Sequence, residues 1–522
     1  MKALTASIRE TVPLSGGFSG ITQGRAALIF LFLIFMGLAI RLSFIGSAGV
    51  VHDRQFRSLL IARAMYFAEE ESVAGWRKNV AQTSSDRQEI LEPPVMEYVV
   101  ASGYRLIGGE SRVTAQIVPL LLWVLGAIPL FLIAQRCSSL DGALYSVAYY
   151  LFVPSGVHLS VSFLPEPLML TMLLFSLLAI LRYSEQQSRA RLLVAAATSA
   201  LTIVVKPFVA PVILGTFVSL EFDKKKGLKQ FLRKPFVAFF LIAFLPGLFY
   251  YGHGLVVESY LQWKIESSFL PHLLWSPYFW LGWLRTSAET TGAVPMLLGL
   301  FGLVLVKGER SQRMLLGFLA GYAAFCLAFN YYTRFLTYYH AQLIILVALA
   351  LGPALSAMLE PIFRARRRSF AIGVVLFSVL LGLALNYYYV KKSEIDLVFE
   401  GVETAEAVGR AVNHSDRVAY LARHYGLPLE YFGELAGEAW PRALRGWPLV
   451  SGHEKPRSVE ERISSLGFEP EYLVITNLRE YARHHEDLAV FLAAHAELVA
   501  ESDEYLVFEL HTAPAGPEGP GQ

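Results

Sequence analysis

Three carboxylates stand beside apolar stretches in this 522-residue chain. Asp53 lies in Val51-His52-Asp53-Arg54-Gln55-Phe56-Arg57, directly after the first long apolar run. Glu92 precedes Pro93-Pro94, and Glu166 lies in Phe163-Leu164-Pro165-Glu166-Pro167. Polar groups next to a membrane cost free energy, so they mark where function is to be sought. Each also has a structural reading. All three suit the start of a helix, where the dipole favours an acid, and Asp53 could add an i,i+4 pair with Arg57 worth about 0.3–0.5 kcal/mol. Lys206 is harder to place as a solvated surface charge, because it interrupts an apolar stretch at Lys206-Pro207; it calls for an anion or a buried carboxylate. In Tyr332-Thr333-Arg334-Phe335-Leu336-Thr337-Tyr338-Tyr339-His340 the aromatics read as interface anchors, while Arg334 and His340 are candidate phosphate contacts. Three acids and three cationic or potentially cationic groups together suit an anionic lipid headgroup. They do not by themselves name a reaction.

The elements that carry these residues are membrane helices. At 54% hydrophobic and 17% charged residues, with mean hydropathy +0.45, the chain is far more apolar than a soluble protein of its size. A net charge of +2 leaves no basic field for nucleic acid. Two cysteines, Cys137 near a membrane face and Cys326 within a span, support neither a disulfide framework nor a thiolate metal site. The run 26–45 is long enough to span and lacks the short core and cleavage site of a signal peptide.

A span needs about 20 apolar residues. Candidates are 26–45, 113–134, 142–162, 166–181, 192–205, 207–220, 235–251, 292–306, 314–332, 341–358 and 370–389, about 11 in all. The segments either side of Lys206-Pro207 read as two short helices, because a central Lys costs about 2.5–3.5 kcal/mol and Pro breaks the ladder. Basic residues gather in alternate loops, at Arg136, Arg182 to Arg191, Lys224 to Lys234, Lys307 to Arg313 and Arg364 to Arg368. By the positive-inside rule the N-terminal segment 1–25 is cytoplasmic, and segment 46–112 and the tail are external. The membrane domain covers 26–390. Within 46–112, Phe56 to Phe67 and Val95 to Ile107 read as amphipathic helices lying in the outer interface. The loop 252–290, rich in Trp, Tyr and Pro, suits the same depth.

From Lys391 the pattern changes. Strands are expected at Arg417–Ala422, Tyr472–Thr476 and Tyr505–Leu510, and helices at Glu403–Val412, Val459–Leu466 and Leu478–Val499. The alternation describes a small extracytoplasmic α/β domain over 391–511, followed by a disordered Pro/Gly-rich end at 512–522. It has no Gly-rich phosphate loop, and its expected task is choice of acceptor without chemistry. Asn413-His414-Ser415 fits a glycosylation acceptor in a suitable compartment.

In the order of these features the chain resembles the polytopic GT-C glycosyltransferases, the superfamily of protein O-mannosyltransferases and lipid A aminoarabinose transferases. The resemblance rests on Asp53 after the first span with Ile61-Ala62-Arg63-Ala64-Met65-Tyr66 following, Glu92-Pro93-Pro94, Pro165-Glu166, Lys206-Pro207, Tyr338-Tyr339-His340-Ala341-Gln342-Leu343 and the external tail. It covers nearly the whole length. It implies an α-helical polytopic membrane enzyme that transfers a sugar, with inversion, from a polyprenyl-phosphate carrier to a lipid, glycan or protein acceptor outside the cytoplasm, in the plasma membrane of a prokaryote. It casts Asp53 as base, Glu92 and Glu166 as acceptor or metal contacts, and Lys206, Arg57, Arg334 and His340 near the donor phosphate. A divalent cation is the candidate cofactor. Arg54, where several relatives carry a second acid, and Leu91-Glu92, where relatives often have His or Lys beside the Pro-Pro pair, count against it. A lipid-linked sugar flippase or transporter would place its polar groups near the midplane and show matching halves. An O-antigen-type ligase would carry its long polar loop late in the chain. A scaffold would leave Lys206 and the acids without a task.

Overall fold

The structure is a computed structural model that describes residues 22–46, 53–88, 91–222, 227–257, 261–364, 384, 401–441 and 458–511. The expected span 370–389 and the tail 512–522 fall outside them, Ala384 apart. Two compact units are present: 1–48, 91–96 and 116–393 form one, and 49–90, 97–115 and 394–522 form the other.

The first unit is helical. Five described helical segments are long and apolar enough to cross a membrane: Gln23–Leu42, Arg112–Cys137, Glu166–Glu185, Lys234–Val256 and Thr337–Pro361. Pro277–Thr291 and Ala293–Leu305 meet at 95° and make a sixth if they are one broken span. The sequence reading of about eleven spans counted segments that fold as helices but are shorter, broken or more charged. Candidate 142–162 divides at Val153-Pro154 into Leu140–Phe152 and Pro154–Ser160, and 314–332 lies mostly in Glu309–Ala328, whose first turns carry Glu309, Arg310 and Arg313. Proline cannot continue the backbone ladder at position 154. The Tyr150 carbonyl, four residues before Pro154, accepts instead from Trp123 Nε1 (3.4 Å), and the Leu151 carbonyl accepts from Nη1 of Arg41 (2.8 Å), a fully buried cation of the first span that also donates to Ser160 Oγ (2.7 Å).

Close approach within this unit depends on small residues. A Cβ on Gly215 of helix Ala210–Glu221 would overlap the Gly317 carbonyl of helix Glu309–Ala328, and one on Gly321 would overlap the Pro211 carbonyl. Lipid gives apolar side chains no drive to associate, so backbone-close packing supplies the attraction. The break at Lys206-Pro207 is where the insertion cost places it: helix Arg189–Val205 ends on an extended Lys206, followed by the turn Pro207–Val209 and the next helix.

The second unit holds a five-stranded sheet in the order β2-β1-β3-β5-β4, with β1 (Val418–Leu421), β2 (Gly437–Ala439) and β3 (Tyr472–Ile475) parallel. Strands β4 (Ala496–Glu501) and β5 (Leu506–Leu510) run antiparallel. Val418 and Tyr420 belong to one core, with Ala405, Val408 and Leu429, while Ala419 and Leu421 belong to the other, with Val459, Leu488 and Leu492. A sheet buried on both faces is what helices on either side produce.

Two expectations need correction here. Leu478–Val499 is not one helix: Leu478–His484 and Glu486–His495 are separate, and 496–501 is β4. The Leu/Ala pattern of a helix runs into Ala-Glu-Leu-Val-Ala-Glu, which pairs with β5 across a turn where Ser502 Oγ accepts from the Glu504 and Tyr505 amides (3.1 and 3.2 Å). The helix Asp53–Glu69 does not present a single apolar face. Phe56, Leu59, Leu60, Ile61, Ala62, Arg63 and Ala64 are all buried, so most of its circumference is packed. Its segment joins the tail in the second unit, and the polar helix Gly75–Asp86 between them was not read from sequence.

Candidate active site

In the first unit the helix break brings three of the expected residues together. Pro165 precedes helix Glu166–Glu185, so Glu166 stands in its first turn, where the dipole favours an acid. Lys206 closes helix Arg189–Val205 in an extended conformation (φ −159°, ψ 119°), which turns its side chain out of the helical rows. Its Nζ meets Glu166 Oε1 directly and lies 3.7 Å from Glu92 Oε1. All three side chains are nearly sealed from solvent, at 6% exposed for Lys206, 2% for Glu166 and 10% for Glu92. The ammonium also lies over the rings of Phe208 (5.1 Å) and Tyr338 (5.7 Å). Phe208 is wedged against Phe325, Phe329 and Tyr339, which fixes the floor under the ammonium.

Two carboxylates face one ammonium, and Glu166 Oε2 is buried without a hydrogen-bond partner. Buried polar atoms are rarely left unsatisfied, and an exception invites a missing proton, donor or ion. The donor set fits a hydroxyl or a lipid phosphate competing for Lys206 better than it fits a metal. Among the described residues no group of three or more His, Cys, Asp or Glu side chains could hold a metal ion, and the Lys206 ammonium already stands between Glu92 and Glu166.

The other two expected phosphate contacts in this unit behave differently. Arg334 is half-buried and stacks on Tyr331 (4.8 Å) and Phe335 (5.7 Å), and its guanidinium makes no hydrogen bond or ion pair among the described residues. His340 is fully buried with both ring nitrogens engaged: Nε2 faces the Thr333 carbonyl (2.6 Å) and Thr286 Oγ1 (2.9 Å), and Nδ1 faces Tyr322 Oη (2.6 Å) and Ser287 Oγ (3.3 Å). That departs from the expected phosphate contact, since no imidazole nitrogen is left to offer. Tyr338, read from sequence as an interface anchor, is instead a wall of the Lys206 site.

In the second unit Asp53 opens helix Asp53–Glu69, but the i,i+4 pair with Arg57 does not form. Asp53 Oδ1 is bonded by His424 Nδ1 at 2.6 Å, and the two side chains are 37% and 32% exposed. Arg57 acts on Glu430, a fully buried carboxyl that burial pushes up to about 7 despite hydrogen bonds from Ser84 and Tyr420 and the nearby Arg87 and Arg57 charges. His424 was missed in the sequence. The available signal was its place three residues after the parallel strand β1, at the strand end where open α/β sheets tend to bind ligands.

Residues 91–250, which include Glu92, Glu166 and Lys206, match the family model described as dolichyl-phosphate-mannose-protein mannosyltransferase. Among solved structures, ArnT from Cupriavidus metallidurans bound to undecaprenyl phosphate is 13% identical with a TM-score of 0.59, covering 92% of this chain and 97% of that one. Its apo state is 12% identical with a TM-score of 0.58, over 92% and 98%. The Archaeoglobus fulgidus oligosaccharyltransferase in complex with Zn and sulfate is 13% identical with a TM-score of 0.56, over 92% of this chain and 73% of that one. No curated relative matches by sequence. The likeness is one of fold across nearly the whole chain.

Proposed function

We propose that this chain is a member of the GT-C glycosyltransferase superfamily, and that it is an inverting glycosyltransferase moving a sugar from a polyprenyl phosphate to an acceptor on the extracytoplasmic side of a prokaryotic plasma membrane; the family-model match and the likeness of fold support this reading. The observation that carries the reading is the buried Glu92–Lys206–Glu166 cluster at a helix break, inside the segment that matches the mannosyltransferase family model. In this reading the N-terminus is cytoplasmic and the tail external, as the basic loops argue.

The roles follow from chemistry. The acceptor oxygen attacks the anomeric carbon while the bond from that carbon to the carrier phosphate breaks. A phosphate leaves without a general acid, unlike the alkoxide that gives glycosidases their second carboxyl. One base is then sufficient, and Asp53 is assigned to it. The departing charge needs fixed cations. Lys206 is assigned to the phosphate, which displaces part of its contact with Glu166, and Arg334 is assigned as a second cation because its guanidinium has no carboxylate partner among the described residues. Glu92 and Glu166 are assigned to acceptor hydroxyls.

The test is a screen of polyprenyl-phosphate sugars with purified protein in detergent, following free polyprenyl phosphate. Release of the carrier with a product of inverted anomeric configuration is the expected result. Movement of a lipid-linked sugar across vesicles with no carrier released would make the protein a transporter instead.

A further inference from the structure

We propose that His424, a residue of the C-terminal domain, is the positioning residue of Asp53. It holds one carboxylate oxygen so that the other is presented to the acceptor hydroxyl. The inference rests on the assignment of Asp53 as base. It gives the tail a share in the chemistry, where the sequence assigned it only choice of acceptor.

The geometry is specific. His424 Nδ1 donates to Asp53 Oδ1 at 2.6 Å, whereas Asp53 Oδ2 has no hydrogen-bond partner among the described residues. An ionised carboxylate only accepts, so the imidazole must carry the proton on Nδ1. Charge-assisted bonds of this length are directional and hold their partners in register.

Both partners are fixed from behind. His424 lies in the turn Arg423–Gly426, where His424 (φ 52°, ψ 33°), Tyr425 (φ 57°, ψ 23°) and Gly426 (φ 71°) are all left-handed. Side-chain-bearing residues seldom adopt that region, and two in succession persist only where the surroundings dictate them. Here they do. Strand β1 before the turn is paired on both edges, and a Cβ on Gly426 would overlap the Tyr420 ring. Tyr420 and Ser84 both bond Glu430 of the following helix Leu427–Gly433. The helix that begins at Asp53 is held to that same helix by Arg63, which donates to the Tyr431 carbonyl at 2.7 Å, and by Phe56, packed 5.9 Å from Phe432. The strained turn therefore aims one imidazole at one carboxylate.

The proton balance is simple. The acceptor O–H proton passes to Asp53 Oδ2 as the oxygen–carbon bond forms, and the electron pair of the breaking carbon–oxygen bond leaves with the phosphate. His424 keeps its proton throughout and exchanges nothing.

The test compares His424→Gly with His424→Asn in the full-length enzyme, measured as carrier release. Both residues tolerate a left-handed backbone, but only Asn places a donor near the position of Nδ1. The Gly variant should lose turnover by about tenfold or more with its KM for the donor unchanged, and Asn should restore it to within about threefold. Asp53→Asn combined with His424→Gly should fall no further than Asp53→Asn alone. Equal turnover in the Gly and Asn variants, high or low, would overturn the positioning role. Wild-type turnover in Asp53→Asn would overturn the base assignment itself, whatever His424 does.

Discussion

Lys206 and Arg63 are both buried cations with carboxylate partners, and they differ in what those partners still lack. Arg63, inside helix Asp53–Glu69, gives Nε to both oxygens of Glu110 (3.0 Å each), gives Nη1 to the Tyr431 carbonyl, and stacks on the Tyr431 ring at 4.0 Å. Its surroundings are closed. Lys206, at a break between helices, faces two carboxylates, and Glu166 Oε2 stays unsatisfied. A paired buried charge whose hydrogen bonds are complete holds structure, and one that keeps an open valence is poised for a ligand. On that ground Arg63 is assigned to stability and Lys206 to binding. The contrast fails if substitutions at the two sites have the same kind of effect.

The largest expected effect lies at neither cation. Asp53→Asn keeps size and hydrogen bonding but removes the basic lone pair, so turnover should fall by roughly 10²–10⁴-fold, the usual share of general-base assistance. Donor affinity should stay at the wild-type value, as read by equilibrium binding of the polyprenyl phosphate. A variant within about threefold of wild type would move the base to Glu92 or Glu166.

Arg63→Met comes next and tests the closed side of the contrast. It leaves Glu110 as a part-buried carboxylate without its cation and the Tyr431 carbonyl without its donor, a loss of about 3 kcal/mol. It should appear in thermal melting and in proteolytic opening of residues 401–511. Surviving protein should bind donor normally. Weak donor binding in a stable Arg63→Met protein would erase the distinction between the two cations.

How much of this was legible beforehand depends on whether the signal was local. Lys206-Pro207 was readable because a lysine and a proline inside an apolar run each carry a cost that a sequence shows. The α/β tail was readable because its strands alternate with amphipathic helices. The Asp53–His424 pair was not, since 371 residues separate its members and a lone His before Tyr-Gly carries no periodicity. Helix Gly75–Asp86 was missed because it is mostly polar, with only Val80, Ala81, Ser84 and Ser85 buried. The misjudged roles of His340 and Tyr338 have a shared cause. Their type and depth were legible, but which neighbours saturate them is a property of tertiary packing.

Glu430 gives a smaller effect with a definite pH sign. Burial raises its folded-state pKa from 4.5 to about 7. Below the lower value both states hold the proton and the contribution to stability is complete. As pH rises through the window from 4.5 to about 7 the unfolded chain ionises first, so folded stability declines. At about 1.4 kcal/mol per unit the decline is on the order of 3 kcal/mol. Glu430→Gln cannot ionise. It should melt close to wild type at about pH 4 and above it at about pH 8, since the pH-dependent loss is absent. A variant less stable than wild type at both pH values would mean that the Ser84 and Tyr420 hydrogen bonds need the carboxylate more than burial penalises it.

Lys206→Met is expected to have the smallest effect of the four, and it bears on the open side of the contrast. The substitution keeps the stem and removes the ammonium. A charge-assisted hydrogen bond is worth about 1.5–3 kcal/mol, so donor affinity should fall roughly tenfold to a hundredfold. That loss has two readings. Either the phosphate has lost a direct contact, or Glu166, left without its cation, repels the phosphate. Lys206→Met combined with Glu166→Gln separates them, because the glutamine removes the charge that the lysine was balancing. If Lys206 serves only as the partner of Glu166, the double variant should regain most of the lost affinity. If Lys206 holds the phosphate, affinity should stay low, since nothing in the double variant replaces the ammonium. Full recovery would make the cluster a structural ion pair, and Arg334, with its guanidinium stacked on Tyr331, would become the leading phosphate contact of this unit.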